Sequence, residues 1–414
     1  MAVLRAKPLS MKFSSVMRPL WWIQSLLLAF GSTLAFAAAL EPEHPPLVFG
    51  MSTALSGPAA DLGIEMSQGV RAAFDEQNRL GGVEGRSLRL IALDDGYEPE
   101  RAVPNMHTLI NEYEVLALVG NVGTPTAVAT VPIANRAQVP FFGAFTGAGV
   151  LRKTPPDRYV VNYRASYAEE TGAMVDALVD IVGILPTEIA FFTQRDAYGD
   201  AGFAGGLSAL KRHGVANALN VAHGRYERNT VAIENGLADL LYHETLPRAV
   251  IMVGSYAPCA EFIKLARSSG LDGLFLNVSF TGAEPLRLAL GEAGEGVVIT
   301  QVVPHFESDL PIVQSYRDAL LALDAEAEPS FGSLEGYVAT RILCRALESA
   351  TGDINRESIV TSLESLGTFD IGLGVPLELG PEKHQACHEV WPTVIRGDQI
   401  VPLEWSQLSA PVKK

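Results

Sequence analysis

Short, nearly unbroken apolar runs recur along the chain, and a longer segment with one apolar face follows most of them. The clearest runs are 47–51 (LVFGM), 88–94 (LRLIALD), 115–120 (VLALVG), 139–144 (VPFFGA), 188–193 (EIAFFT), 249–254 (AVIMVG), 274–279 (LFLNVS) and 296–303 (GVVITQVV). A strand with one wet face alternates apolar and polar residues. These runs do not, so they belong in sheets covered on both faces. The intervening segments have helical spacing. In 66–80, Val70, Phe74 and Leu80 lie on one face ahead of Gly81-Gly82. In 168–183 the face is Met174, Leu178, Val179 and Val182, and in 229–241 it is Val231, Ile233, Leu237, Leu240 and Leu241. Strand alternating with helix predicts an α/β fold with parallel sheets. About ten such units exceed one comfortable sheet, so two doubly wound lobes are expected. A chain of 414 residues is long enough for both.

The N-terminus follows a different rule. Residues 1–19 carry Arg5, Lys7, Lys12 and Arg18 and no acid, and an apolar run from Leu20 to Ala39 contains Ala35-Phe36-Ala37. A basic start, an apolar stretch and a small-x-small site describe a cleaved secretory signal over 1–39. The run is also long enough to span a bilayer as an uncleaved anchor, but its alanine-rich end before the polar EPEHPP (41–46) favours cleavage. Loss of the segment moves the formal charge from −16 to −20, which argues against nucleic acid and anionic membrane as partners. Cys259, Cys344 and Cys387 allow at most one disulfide and one spare thiol, with the pairing open.

In open α/β sheets the ligand-facing residues lie in loops that lead from strand to helix. The loop GNVGTPTAV (120–128) has little side-chain bulk, and Thr124-Pro125 reads as Thr at an N-cap with Pro at N1. That is either a well-capped helix or an anion site made of free N–H groups and a hydroxyl. A second small loop, GAFTGAGVLR (143–152), follows the next strand and presents Phe145, Thr146 and Gly147. Neighbouring parallel strands would bring Thr124 and Thr146 to one sheet edge. Further along, RDAYGDAG (195–202) presents Tyr198, GSYAPCAEF (254–262) presents Tyr256, and NVSFTGAEP (277–285) presents Ser279, Phe280 and Thr281. Such residues suit the wall of a pocket for a small polar solute. No G-x-S-x-G, G-x-x-x-x-G-K-[ST], G-x-G-x-x-G or H-E-x-x-H occurs. The cluster His384, Cys387 and His388 has ligand-like spacing, but its polar loop setting makes a metal site the lesser reading. Asp94-Asp95 reads as a turn. The expectation is no enzyme, no metal and no cofactor.

In order, STALSGPAADLG (52–63), NRLGGVEGRSLRLIALDD (78–95), VGTPTAVA (122–129), FTGA (145–148), NYRASYAEET (162–171), RDAYGDAG (195–202) and SLEGY (333–337) resemble the type I periplasmic binding proteins, in the leucine/isoleucine/valine-binding branch. The resemblance runs from about residue 47 to 403. It implies two α/β lobes joined by three crossings near 161–165, 299–303 and 368–374, with lobe 1 at 46–163 plus 300–370 and lobe 2 at 164–299 plus 371–405. It implies an exported, periplasmic receptor that closes around a small-molecule ligand and hands it to the membrane subunits of an ABC permease, as a monomer. A sensory subunit serving a receptor or kinase is the alternative. The family's ligand residues fall on Thr124, Phe145, Thr146 and Gly147 in the first lobe and on Tyr198 and Tyr256 in the second. Its acid for the ligand ammonium group falls on Ser279, and its first-loop aromatic on Leu62. Asp196 or Glu170 would then have to supply the negative charge, or the ligand is a carboxylate, an amide or an aromatic acid.

Overall fold

The structure, a computed structural model, describes residues 44–409; the expected signal segment lies outside them. Alternating strands and helices run β1 (Leu47–Thr53), α1 (Ala60–Arg79), β2 (Leu88–Asp94), α2 (Pro99–Asn111), β3 (Ala117–Val119), α3 (Thr124–Arg136), β4 (Phe141–Phe142) and β5 (Val160–Val161). The sequence continues with α4 (Tyr167–Asp176), β6 (Ile189–Gln194), α5 (Ala197–Arg212), β7 (His223–Tyr226), α6 (Glu234–Leu241), β8 (Ala249–Val253), α7 (Tyr256–Ser268), β9 (Leu274–Asn277), α8 (Ala283–Leu290) and β10 (Val298–Gln301). It ends with α9 (Pro311–Leu323), α10 (Phe331–Glu348), α11 (Arg356–Glu364), β11 (Gly367–Phe369), β12 (Leu377–Leu379), β13 (Trp391–Arg396) and β14 (Gln399–Pro402).

Two sheets form the lobes. The first is all parallel in the order β2-β1-β3-β4-β5, and the second contains the same order as β7-β6-β8-β9-β10. The buried strands explain the unbroken apolar runs: every residue of β6, β8 and β9 is buried. The all-parallel expectation is corrected at one edge of the second sheet. There β13 pairs antiparallel with β10, and β14 antiparallel with β13. This is a common way to finish a doubly wound sheet, because a hairpin needs no crossover helix.

The chain passes between the sheets after β5, after β10 and again before β13. The passages are bonded to one another. Tyr163 donates its hydroxyl to the Val302 carbonyl at 2.9 Å, and the Cys387 N–H reaches the Tyr163 carbonyl at 2.8 Å. On return to the first lobe, α10 packs against α1 at backbone contact. A Cβ on Gly69 would lie 1.8 Å from the Ser333 carbonyl oxygen, and one on Gly336 would lie 2.4 Å from that of Met66. Cys259, Cys344 and Cys387 are separate buried thiols.

Candidate functional site

In each sheet the strand order reverses at one place, between β1 and β3 and between β6 and β8. Loops at the carboxyl ends of these strands are where such folds gather functional groups. The bare loop before α3 has a structural use. Gly123 holds φ +102°, and a Cβ there would lie 2.2 Å from the Tyr97 ring, so the small residues make room for Tyr97. The helix therefore starts one residue earlier than the sequence suggests, with Gly123 as its cap and Thr124 inside its first turn. Thr126, not Thr124, turns its hydroxyl back to the Val122 carbonyl, at 2.5 Å. That leaves the Thr124 hydroxyl free to meet Thr146 at 2.6 Å. Both threonines are buried.

Phe145 and Gly147 flank Thr146. Gly147 permits a close approach: its carbonyl accepts the Tyr167 N–H at 2.9 Å, and a Cβ would lie 2.6 Å from that nitrogen. From the second lobe, Tyr198 is buried and donates to the Gly254 carbonyl at 3.2 Å. Tyr256 stands apart at the rim, half-buried, and burial followed by Asp61 pushes its hydroxyl pKa up. Leu62 is buried, and a Cβ on Gly282 of the opposite lobe would lie 2.7 Å from it.

Ser279 lies within a buried charge cluster that the sequence did not reveal. Glu170 of α4 accepts the Ser279 N–H at 2.7 Å, the Ser279 hydroxyl at 3.0 Å and the Thr300 hydroxyl at 2.6 Å. Arg164, in the first passage between lobes, donates to Glu170 at 3.2 Å and also bonds the Ser279 hydroxyl. Its other terminal nitrogen lies 3.5 Å from Glu335 of α10. Arg164 is fully buried. Burial opposes its charge, but Glu335 and Glu170 outweigh that and raise its pKa. Burial, only partly offset by Arg164, pushes the Glu335 carboxyl up to about 7. Asp196 caps α5, accepting the Tyr198 N–H at 2.9 Å and Gln194 at 2.7 Å.

An aromatic cluster completes the site. Phe280 lies between Tyr97, Phe145, Tyr167 and Tyr198. Arg164 sits over the rings of Phe145 and Tyr167 at 5.2 and 5.7 Å. Thr124, Phe145, Thr146, Gly147, Tyr198 and Ser279 are therefore brought to one buried interface, while Tyr256 remains at its edge. Sequence reasoning missed Tyr97, Arg164, Tyr167 and Glu335 as members. Glu335 carried a usable signal as the lone acid of FGSLEGYVATRILC (331–344), a helix segment otherwise built for burial. The His384 cluster disperses. His384 bonds the Val160 carbonyl and Glu364, and His388 bonds Glu169. Among the described residues no group of three or more His, Cys, Asp or Glu is placed to hold a metal.

A sequence profile described as "Periplasmic binding protein" matches residues 46–399. The Leu/Ile/Val-binding protein BraC3 of Rhizobium johnstonii is 26% identical over 84% of this chain and 90% of its own length. A solved structure from Rhodopirellula baltica, described as a possible leucine/isoleucine/valine-binding protein, is 57% identical. It covers 89% of this chain and 99% of its own, with a TM-score of 0.87. A substrate-binding periplasmic protein of Ralstonia solanacearum is 27% identical with a TM-score of 0.79, over 86% of this chain and 100% of its own.

Proposed function

The chain belongs to the periplasmic binding protein family, and on that premise we propose that it is the exported solute receptor of an ABC importer, capturing a small polar organic molecule by hinge closure. The observation that carries this reading is that loops of both lobes and the first passage between them converge on one buried cluster. Thr124 and Thr146 come from the first lobe, Ser279 and Tyr198 from the second, and Arg164 from the passage. A solute bound there touches both lobes, so it binds the closed form better than the open one and shifts the population toward it. The hydroxyls of Thr124 and Thr146 lie beside the N-terminus of α3, which suits the carboxylate or carbonyl end of the solute. Phe145 and Tyr198 supply apolar wall, Gly147 bare backbone, and Tyr256 the rim. The site contains no nucleophile activated by a base, so binding without covalent chemistry is the activity it supports.

A thermal-shift screen of refolded mature protein tests this against amino acids, their amides and simple carboxylates. A solute at a hundred times its Kd adds about 2.7 kcal/mol and moves the midpoint by a few degrees. The double variant Thr124→Ala, Thr146→Ala is expected to weaken that solute about a hundredfold, the value of two hydrogen bonds to a charged group. Unchanged affinity would remove these threonines from the site.

A further inference from the structure

The centre of the cleft is filled by the protein itself. Phe280 is wholly buried, and its ring centroid lies 5.9 Å from Tyr97, 5.3 Å from Phe145, 6.5 Å from Tyr167 and 4.8 Å from Tyr198. All four distances fall in the range of favourable aromatic pairs. The box is drawn from three places. Tyr97 and Phe145 come from first-lobe loops, Tyr167 from the end of the first passage, and Tyr198 from α5 of the second lobe. Phe280 itself is not anchored in a strand or an α-helix. It is the middle residue of the short turn Ser279–Thr281, and Gly282 follows at φ +86°. This turn hangs from the carboxyl end of β9, the position where such sheets hold ligands.

The polar end of the box is short of acceptors. Arg164 is fully buried, yet its Nε and Nη1 donate no hydrogen bond, and the buried Tyr167 hydroxyl has no partner either. A buried polar group left unpaired costs about 1–3 kcal/mol. The groups with donor capacity to spare at this end are Nε of Arg164, its Nη1, which has only the Glu335 carboxylate at 3.5 Å, and the O–H of Tyr167. A carboxylate supplies two acceptor oxygens in the geometry an arginine fork takes. An ammonium group finds less, because Glu335 is already the ion-pair partner of Arg164 Nη1 at 3.5 Å and burial favours its neutral form. Glu170 already accepts from the Ser279 N–H, the Ser279 and Thr300 hydroxyls, and Arg164, which is the full capacity of a carboxylate. Asp196 is held as a helix cap by Tyr198 and Gln194.

We infer that Phe280 is a built-in occupant of the solute site and that the solute it stands in for is an aromatic carboxylate, whose ring takes the place of the Phe280 ring while its carboxylate meets Arg164. This rests on the solute-receptor reading above and narrows it, with the carboxylate assigned to Arg164 and the Thr124 and Thr146 hydroxyls left to flank the solute. Phe280 is then a specificity-determining residue. A solute must displace it, so weak or ring-free molecules lose the competition, and apparent affinity is lowered by the fraction of protein in which the box is filled.

Titration calorimetry on the refolded mature protein tests this with phenylacetate and benzoate as probes. Phenylacetamide, cyclohexanecarboxylate and L-leucine serve as matched controls. The aromatic carboxylates are expected to bind, and phenylacetamide to bind at least thirtyfold more weakly. Phe280→Ala is expected to tighten phenylacetate about tenfold by removing the competitor. Phe280→Leu, which keeps bulk in the core but loses the ring, should tighten it less. If L-leucine or cyclohexanecarboxylate binds more tightly than the aromatic acids, the inference fails while the solute-receptor reading stands. It fails in the same way if neither Phe280 variant changes phenylacetate affinity. If neither this panel nor the wider screen of amino acids, amides and carboxylates shifts wild type or variants, the solute-receptor reading fails and takes the inference with it.

Discussion

Glu335 is an acid on the buried face of α10, with Arg164, Glu170 and Arg152 as the charged groups acting on it. Its pKa rises from 4.5 to about 7 on folding, with burial as the main cause. The folded state therefore holds this proton more tightly than the unfolded chain does. The stabilising contribution is complete below about pH 4.5 and is lost as pH rises through about 7. The full span corresponds to about 3 kcal/mol. Glu335→Gln is neutral at every pH, so it should flatten the decline of Tm between pH 5 and 7.5 and be the more stable protein at pH 7.5. A lower Tm for Glu335→Gln at pH 7.5 would mean that the ionised form is held by Arg164 and that the sign is wrong. The residue scale is also where the sequence was least legible. Thr124 and Thr146 could be paired from their positions alone, because each follows one of two adjacent parallel strands. The burial of Arg164 between its two acids and the insertion of Phe280 could not. Both depend on which lobe surface faces which, and no local pattern encodes that.

Elements were more legible than residues, because their periodicity reports burial directly. The run 88–94 coincides with β2, while 115–120 and 139–144 shrink to the few residues that pair in β3 and β4. The two-residue β5 and the four-residue β7 were not seen; β7 reads HGRY and so carries no apolar run to mark it. The start of α4 shows how a local signal carries a global task. Ser166 accepts the Glu169 N–H at 3.2 Å, and Glu169 accepts the Ser166 N–H at 2.6 Å, forming a capping box. Glu169 also takes His388 at 2.6 Å and Gln385 at 2.9 Å, tying the helix to the last passage between lobes. Burial alone would raise the Glu169 pKa, but bonds from His388 and Ser166 outweigh it and hold the carboxyl at about 2. One turn inside this cap sits Glu170, the anchor of Arg164 and Ser279. Ser166→Ala should therefore cost about 1 kcal/mol in denaturant titration and weaken solute binding as well, because the frayed turn carries Glu170. A stability loss with unchanged affinity would confine the cap to a structural role.

At the scale of the molecule, the lobes meet at the lip of the cleft as well as at its base. Glu98 of the first lobe accepts Arg228 and Asn229 of the second, each at 2.7 Å, and Asn229 also donates to the Gly96 carbonyl at 3.3 Å. Deeper in, Gln194 donates to the Tyr97 hydroxyl at 3.3 Å. Both sides of this lip hold non-glycine residues in the left-handed region, Tyr97 at φ +64° and Asn229 at φ +58°. For asparagine that conformation is mild, but for a tyrosine it costs on the order of 1 kcal/mol or more. On the first lobe the turn is held by Asp95, which accepts the Tyr97 N–H at 2.9 Å and the Ser52 hydroxyl at 2.7 Å. The strain is thus borne within one lobe, while the ion pair it presents acts between lobes. Glu98→Ala removes the bond between lobes and leaves the turn intact. In the solute-free protein it should raise the radius of gyration seen by small-angle scattering. Solute affinity should fall about twofold to fivefold, the value of a half-buried charged pair, with the loss appearing as faster release. The unfolding midpoint without solute should stay within about a degree, because neither lobe loses a core contact. If scattering is unchanged and the midpoint drops instead, Glu98 stabilises its own lobe, and closure is governed at the base of the cleft by Arg164 and its two acids.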